Sequence, residues 1–400
     1  MGKIITITDP QIKKILDEIK NLCEKEKTRA FLVGGPVRDL IMGKNLKKDL
    51  DICIEGNAIE FAQKLNKILK GKITRYPQFG TATIEIEDFR IDFAMTRKEE
   101  YPSPAVLPRV SFGKIEDDLF RRDFTINAIA LDIKEEKLID PFKGIDDIKA
   151  KKIRILHDKS FIDDPTRIFR AVRFAMRFSF EIEEKTEKLL KEAVSYIKLL
   201  TPERIRNEIK LILEEEKRYE MIKKLEEYGI LSLLSLKLCD EENFKMADKF
   251  IEITKIKEDK WFYYYMLLLN PEKPVLYEPK YYEKKCANRL KEDISRAENL
   301  KRAKSNSEIY FCLKDVPMSN LCYIYANFKD VRQKIEKFLK ELKDFRLKIT
   351  GEDLKKMGLK PSPLFKQILD DVLSARIDGK IKEEDEPNYA KERIKWLMDF

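Results

Sequence analysis

The sequence predicts an α+β protein: a mixed N-terminal domain, then a chain that is helical nearly to its end. Three observations carry this reading. Residues 30–95 alternate short apolar or period-two strands with glycine turns and amphipathic helices. Beyond about residue 150, apolar residues recur at helical spacing and the strand-like alternation stops. Helix openings marked by aspartate and proline punctuate that second part. A chain of 400 residues has room for two to four domains, each with its own core.

Taken in order, Ile12, Ile15, Leu16, Ile19 and Leu22 give a first amphipathic helix after an Ile-rich opening. A short apolar strand follows, Ala30 to Val33. Gly34 and Gly35 make a turn, and a helix starts near Pro36, where proline's missing N–H costs nothing. Asp49-Leu-Asp51 opens the next strand, with both carboxylates on one face. Residues 58–69 read as a helix. Thr81 to Glu87 alternates like a strand, and Phe89 to Phe93 continues the pattern with Asp92 opposite Phe89, Ile91 and Phe93. Asp92 can therefore join Asp49 and Asp51 if the two strands are neighbours. Tyr101 to Pro108 is punctuated by proline and reads as a loop beside the site. Leu138 to Gly144 reads as a turn that closes the mixed domain near residue 150.

The remaining segments read as helices. Asp163-Asp-Pro-Thr-Arg167 caps one that carries Arg167, Arg170, Arg173 and Arg177 as a cationic stripe. Thr201-Pro opens another, where Glu203, Arg204 and Glu208 read as ion pairs bracing the preceding helix. Residues 218–340 hold amphipathic helices without a catalytic constellation. Tyr277, Tyr281 and Tyr282 lie there among many basic residues, a mixture suited to RNA contact. Ile349-Thr-Gly-Glu-Asp-Leu opens a compact C-terminal helical unit.

Composition narrows the function. Lys and Arg number 81 against 72 Asp and Glu, a net charge of +9, which favours an anionic partner without identifying it. The charged fraction of 38% resembles that of hyperthermophile proteins. Six cysteines show no Cys-x-x-Cys spacing and the only histidine is His157, which argues against a zinc site and against His-based hydrolysis. The cysteines read as free thiols of a reducing compartment. No apolar run approaches membrane-spanning length and no signal peptide is evident, so a cytoplasmic protein without a membrane partner is expected. The oligomeric state is left open.

The candidate chemistry gathers at the N-terminal motifs. Gly34 and Gly35 let a ligand approach backbone, and Arg38 adds a fixed positive charge beside the free N–H groups of a helix start. Asp49 and Asp51 offer hard oxygen ligands that suit Mg²⁺ holding a nucleoside triphosphate. Either feature alone could be a plain turn or a solvated pair. Their strand-turn-helix-strand order within about twenty residues makes the site the stronger reading. Arg122 can reach phosphate, and Asp123 and Asn127 can bond ribose hydroxyls, although a salt-bridged helix start would use the same residues. An arginine stripe in a lysine-rich chain favours phosphate or base recognition over a solvated face.

Gly34-Gly-Pro-Val-Arg-Asp39, Asp49-Leu-Asp51, Arg121-Arg-Asp-Phe-Thr-Ile-Asn-Ala128 and Asp163-Asp-Pro-Thr-Arg167 occur in that order. This series resembles the bacterial-type (class II) tRNA nucleotidyltransferases and the related bacterial poly(A) polymerases, from about residue 25 to 215 and more weakly over 349–385. The resemblance implies a polymerase-β-like nucleotidyltransferase head over 1–150 and a helical neck with the base-recognition motif over 151–217. A helical body over 218–340 and a tRNA-binding tail over 341–400 complete it. It implies addition of C and A from CTP and ATP to tRNA 3′ ends, without a nucleic-acid template and with release of pyrophosphate. The acceptor and elbow of the tRNA would be contacted.

By the same resemblance Asp49 and Asp51 bind two Mg²⁺ ions and Asp92 is the third acidic residue. Gly34, Gly35 and Arg38 hold the triphosphate, and Arg122, Asp123 and Asn127 hold phosphate and ribose. Asp164 and Arg167 read the base, helped by Arg170 and Arg173. Asp163 stands where the family often has Glu, and Pro361-Ser-Pro-Leu-Phe replaces a glycine-containing turn. The chemistry is coherent: two Mg²⁺ ions about 4 Å apart activate the 3′ hydroxyl and stabilise the leaving pyrophosphate. The proline-rich loop within 98–116 is similar to that of the A-adding members and of the poly(A) polymerases. Full CCA addition is expected slightly ahead of an A-adding specialist, then poly(A) polymerase. A non-catalytic RNA-binding protein would not need Asp49, Asp51 and Arg38.

Overall fold

The computed structural model describes residues 7–272, 281–360 and 362–398. Tyr277, Pro361, the opening six residues and the side chains of Tyr281 and Tyr282 lie outside the described residues. The chain folds as two compact units, Met1–Leu233 and Leu234–Phe400.

The first unit is built on a seven-stranded sheet. Its strands are β1 (Ala30–Val33), β2 (Asp49–Ile54), β3 (Lys72–Tyr76), β4 (Thr81–Ile86) and β5 (Phe89–Met95); two later strands are added on the other side. After β5 come β6 (Arg97–Glu100) and β7 (Arg109–Phe112), which form a separate hairpin, then β8 (Ala130–Asp132) and β9 (Lys137–Ile139). The sheet order is β3-β4-β5-β2-β1-β8-β9. Within this sheet only β2 and β5 pair in parallel, and their register sets Asp49 against Arg90 and Asp51 against Asp92. The helices here are α1 (Pro10–Glu26), α2 (Gly35–Ile41), α3 (Ala58–Leu69), α4 (Ile115–Phe120) and α5 (Gly144–Ala150).

Alternation decides which way each strand faces. Leu50, Ile52 and Ile54 on β2 and Phe89, Ile91 and Phe93 on β5 are buried, and α3 packs on β2 to β5 through its own Phe61 and Leu65. Covering one face leaves Asp49, Asp51, Arg90 and Asp92 on the other. The structure thus makes neighbours of the two strands whose adjacency the sequence left conditional. It also adds what the sequence did not mark: β3 at the sheet edge, and the β6–β7 hairpin carrying the proline-rich loop. Leu138 to Gly144 contributes strand β9 as well as a turn.

The helices of the first unit continue with α6 (Ser160–Asp163), α7 (Thr166–Phe178), α8 (Glu184–Ala193), α9 (Pro202–Leu213), α10 (Arg218–Glu227) and α11 (Ile230–Leu233). α7 is buried on nearly every side and packs on α9 and α10, so Arg167 and Arg173 are buried and of the four arginines Arg177 alone is exposed. α9 begins with Thr201 accepting from the Arg204 N–H and Pro202 in its first turn.

The second unit is helical. Around α15 (Met318–Asn327) pack α12 (Glu241–Thr254), α13 (Lys260–Leu268) and α14 (Tyr281–Arg302), enclosing Phe250, Trp261, Tyr265 and Tyr325. Asn320 donates to Asp293 at 2.8 Å in the interior, and Lys334 closes the end of α14 by donating to the carbonyls of Leu300 and Lys301 and to that of Ala303 just beyond it. Thr350 and Asp353 form a reciprocal cap on the Gly351–Lys356 helix. Leu354, Ile368, Val372 and Ala390 make a small core there. All six cysteines are free. Among the described residues no helix is long and apolar enough to cross a membrane.

Candidate active site

The open face of the sheet and α7 enclose a cavity of about 870 Å³ within the first unit. Nine arginines and five carboxylates line it, and no lysine among the described residues does. Such a wall presents planar, fixed donors matched to phosphate and base edges.

At one edge lie the acidic residues. Asp51 and Asp92 line the cavity side by side on adjacent strands, whereas Asp49 sits one step outside the lining. Arg90 clamps Asp92 with two bonds of 2.9 and 3.2 Å and stands 3.9 Å from Asp49. The Thr83 hydroxyl donates to Asp92 as well. Asp51 is exposed by surface area but sits in the concave wall of the cavity, where surrounding protein thins the water around its carboxylate. Burial pushes its carboxyl above the usual range, Arg122 partly opposes this, and Asp92 and Asp49 add to the rise. A negative edge with an unrelieved charge results.

The glycine turn flanks this edge. Gly34 has φ +70°, a conformation costly for any other residue, and a Cβ there would lie 2.7 Å from Arg122 Nη1. Gly35 differs: a Cβ would meet only Arg38 Nη2, at 3.6 Å, so the protein itself does not demand glycine. Gly35 leaves backbone open toward the cavity. Arg38 is buried and fixed, donating to Asp39 at 2.8 Å and to Asn127 at 2.6 Å, with its guanidinium 4.4 Å over the Phe178 ring.

Arg122, Asp123 and Asn127 come together as the motif suggests, each held by others. Asn127 donates to Asp123 at 2.9 Å, and Arg170 reaches the other Asp123 oxygen at 2.6 and 2.8 Å. Burial opposes the Asp123 charge, but Arg170 and Asn127 outweigh it and hold its carboxyl below the usual range. Arg122 donates to Asp118 at 2.9 Å. Arg121 binds the other Asp118 oxygen at 2.8 and 2.9 Å. Asp118 is fully buried, and the same contest, burial against two arginines, leaves its carboxyl low.

On the opposite wall stand Asp164 and Arg167. Asp164 caps the start of α7, its Oδ1 accepting from Thr166 N–H and Oγ1, and also from Arg204 at 2.6 Å. Every bond described for Asp164 falls on Oδ1. Arg167 donates to Ser160 at 2.6 Å and to the Arg121 carbonyl at 2.8 Å, which locks its direction. Arg173 is not brought to the cavity. It lies buried behind α7, 3.6 Å from Glu208 on α9. Arg204 and Glu208 thus brace α7 as read from sequence, while Glu203 is exposed.

Several lining residues escaped the sequence reading. Glu99 accepts from Arg97, Arg121 and Tyr101, gathering three side chains of the hairpin and α4. Arg204 also donates to the Ala105 carbonyl at 3.0 Å, tethering the proline-rich loop. Tyr76 lines the cavity from β3. Only the charged run Glu116 to Asp123 gave any sequence signal for Asp118.

Comparison with known proteins follows the same lines. Residues 30–154 match the family described as "Poly A polymerase head domain", and residues 179–238 match "Probable RNA and SrmB- binding site of polymerase A". The A-adding tRNA nucleotidyltransferase of Aquifex aeolicus is 37% identical over 85% of this chain, and that of Halalkalibacterium halodurans 33% identical over 91%. The chain spans 44% of the Aquifex aeolicus and Geobacter sulfurreducens enzymes and 88% of the Halalkalibacterium halodurans one. A solved CCA-adding enzyme in its apo form superposes with a TM-score of 0.85 at 30% identity, covering 98% of this chain and 97% of that one. The Thermotoga maritima CCA-adding enzyme complexed with tRNA gives 0.79 at 28% identity, covering 98% of this chain and 97% of that one. With a related enzyme matched over most of both chains and a head-domain match spanning the acidic strands and the Arg121-Arg-Asp motif, the chain belongs to the tRNA nucleotidyltransferase and poly(A) polymerase family.

Proposed function

We propose that this chain adds nucleotides from ATP or CTP to the 3′ end of tRNA, releasing pyrophosphate, and that the terminal A is its principal product. The observation that carries the reading is the register of Asp51 beside Asp92, facing a cavity whose other wall bears Asp164 and Arg167. The A-adding names of the Aquifex aeolicus, Geobacter sulfurreducens and Halalkalibacterium halodurans relatives favour A addition. A second reading, full CCA addition, is favoured by the CTP complex of a CCA-adding enzyme at 29% identity.

Asp49, Asp51 and Asp92 suit divalent magnesium. Carboxylate oxygens are its preferred ligands, and a cation would relieve the mutual repulsion that burial worsens at Asp51. Among the described residues no three acidic, His or Cys groups close around one point, so substrate phosphates and water would complete each shell. When bound, two ions would lower the charge barrier to attack by the 3′ hydroxyl. The chain's own residues orient the reactants. Gly34, Gly35 and Arg38 bind the triphosphate; Arg122, Asp123 and Asn127 meet phosphate and ribose, with Arg170 fixing Asp123. Asp164 Oδ2 accepts from the exocyclic amine of A or C, and Arg167 donates to ring acceptors. Arg173 acts from behind, by holding α9 against α7.

The head therefore carries the chemistry, the α7 segment reads the base, and the helices from residue 218 onward grip the tRNA body. To test the whole reading, tRNAs ending at the discriminator base, at C and at CC are incubated with ATP, CTP or both. We expect one A on the CC end, then arrest. Raised salt should weaken use of tRNA far more than use of a short acceptor, because the lost contacts are to phosphates. Long A tails on unstructured RNA would point to poly(A) polymerase instead, and no transfer to any acceptor would end the proposal.

Base choice has its own test. Asp164→Ala should erode preference for ATP and CTP over UTP and GTP by on the order of a hundredfold, the cost of leaving a charge-assisted bond unmade. Competition among all four nucleotides measures it, and unchanged preference would remove Asp164 from the base site.

A further inference from the structure

The pairing registers place residues of four strands in lateral rows across the open sheet face. One row runs Asp51, Asp92, Thr83, Thr74; the next runs Cys53, Ala94, Thr81, Tyr76. The first leads from the acidic pair along hydroxyls toward the sheet edge. The second ends in an aromatic ring that is 38% exposed and lines the cavity. The glycine turn leaves the end of β1, which lies on the side of β2 away from β5, and the helix carrying Arg38 follows it and packs on β1 and β2.

Displacement at a phosphoryl group brings the nucleophile in line with, and opposite to, the leaving group. With the triphosphate on the β1 side of the carboxylates, the attacking 3′ hydroxyl must arrive from the side of β5, β4 and β3. We propose that the open face of β3 and β4 seats the 3′-terminal nucleotide of the acceptor RNA, with its base stacked on Tyr76 and its ribose beside Thr83. This rests on the nucleotidyltransferase reading. A stacked aromatic suits this place because the ring holds any base by its face, so successive RNA ends can be accepted without a base code. Thr83 serves as a positioning residue, since its hydroxyl already orients Asp92.

The full chain tests the seat in two ways. Transfer of A to CC-ended tRNA is measured for wild type, Tyr76→Ala and Tyr76→Phe. A tRNA bearing 2-aminopurine as its last base reports stacking by fluorescence quenching. Tyr76→Ala should raise KM for tRNA on the order of tenfold, leave KM for ATP unchanged and lose the quenching. Tyr76→Phe should restore both. Equal quenching in wild type and Tyr76→Ala, or a KM loss confined to ATP, would overturn the seat. Tyr76-dependent quenching without any nucleotide transfer would support the seat while sinking the activity it was inferred from.

Discussion

Asp51→Asn should lower nucleotide incorporation on the order of a thousandfold while leaving the protein folded and no less stable. On the proposed metal role, the activity loss follows from deleting a carboxylate oxygen where several kcal/mol of charge stabilisation are at stake. The stability arm has the opposite sign. Burial raises the Asp51 carboxyl above its unfolded value, so the folded chain holds that proton more tightly. Stability therefore falls as pH climbs from the unfolded value through the folded one, and neutral Asn removes that fall. Single-turnover incorporation in Mg²⁺ and thermal unfolding near neutral pH measure the two arms. A folded variant with near wild-type turnover would show that the metal assignment is wrong.

The second large effect is on the fold. Asp118→Ala should destabilise the first unit by about 3–5 kcal/mol, the usual consequence of removing one partner from a buried ion pair. Asp118 is fully buried and binds both Arg121 and Arg122, so its loss strands the Arg122 guanidinium and leaves Arg121 with Glu99 alone. Arg167 donates to the Arg121 carbonyl, so the cavity wall that bears Asp164 and Arg167 should loosen too. Because the Asp118 carboxyl is held low in the folded state, this contribution is complete above the unfolded value of about 4 and fades as pH drops below it. Urea unfolding at neutral and acid pH checks both points; an acid-limb difference between wild type and variant that persists undiminished at low pH would contradict the assignment.

The sequence made the centre of the site legible because its motifs are local. Gly34 to Asp39 is one turn, Asp49 and Asp51 share a strand face by period, and Asp164 caps the helix that carries Arg167. Asp92 was legible only as a possibility, since alternation gives a face but no neighbour. What stayed hidden depends on pairing across distance. Tyr76 reaches the cavity through a strand too polar to stand out, and Glu99 becomes a hub only when β6 meets α4. Arg173 shows the converse: its place in the arginine spacing suggested the cavity, but at that turn of α7 the helix faces α9. The hairpin around the proline-rich loop went unseen because β7, Arg109 to Phe112, is exposed throughout and lacks the alternation that betrays a half-buried strand.

The parallel register of β2 and β5 also sets how the site can fail. Side chains alternate faces with a period of two, so a slip of one residue would drive Asp51 toward α3 and turn Ile52 out to water. The apolar residues between the aspartates are therefore the lock on their alignment. A one-residue insertion or deletion within either strand cannot yield a slightly altered enzyme. It must be absorbed in a bulge or it costs the core and the chemistry together, so the turns, and not the strands, are where this region can take an added residue.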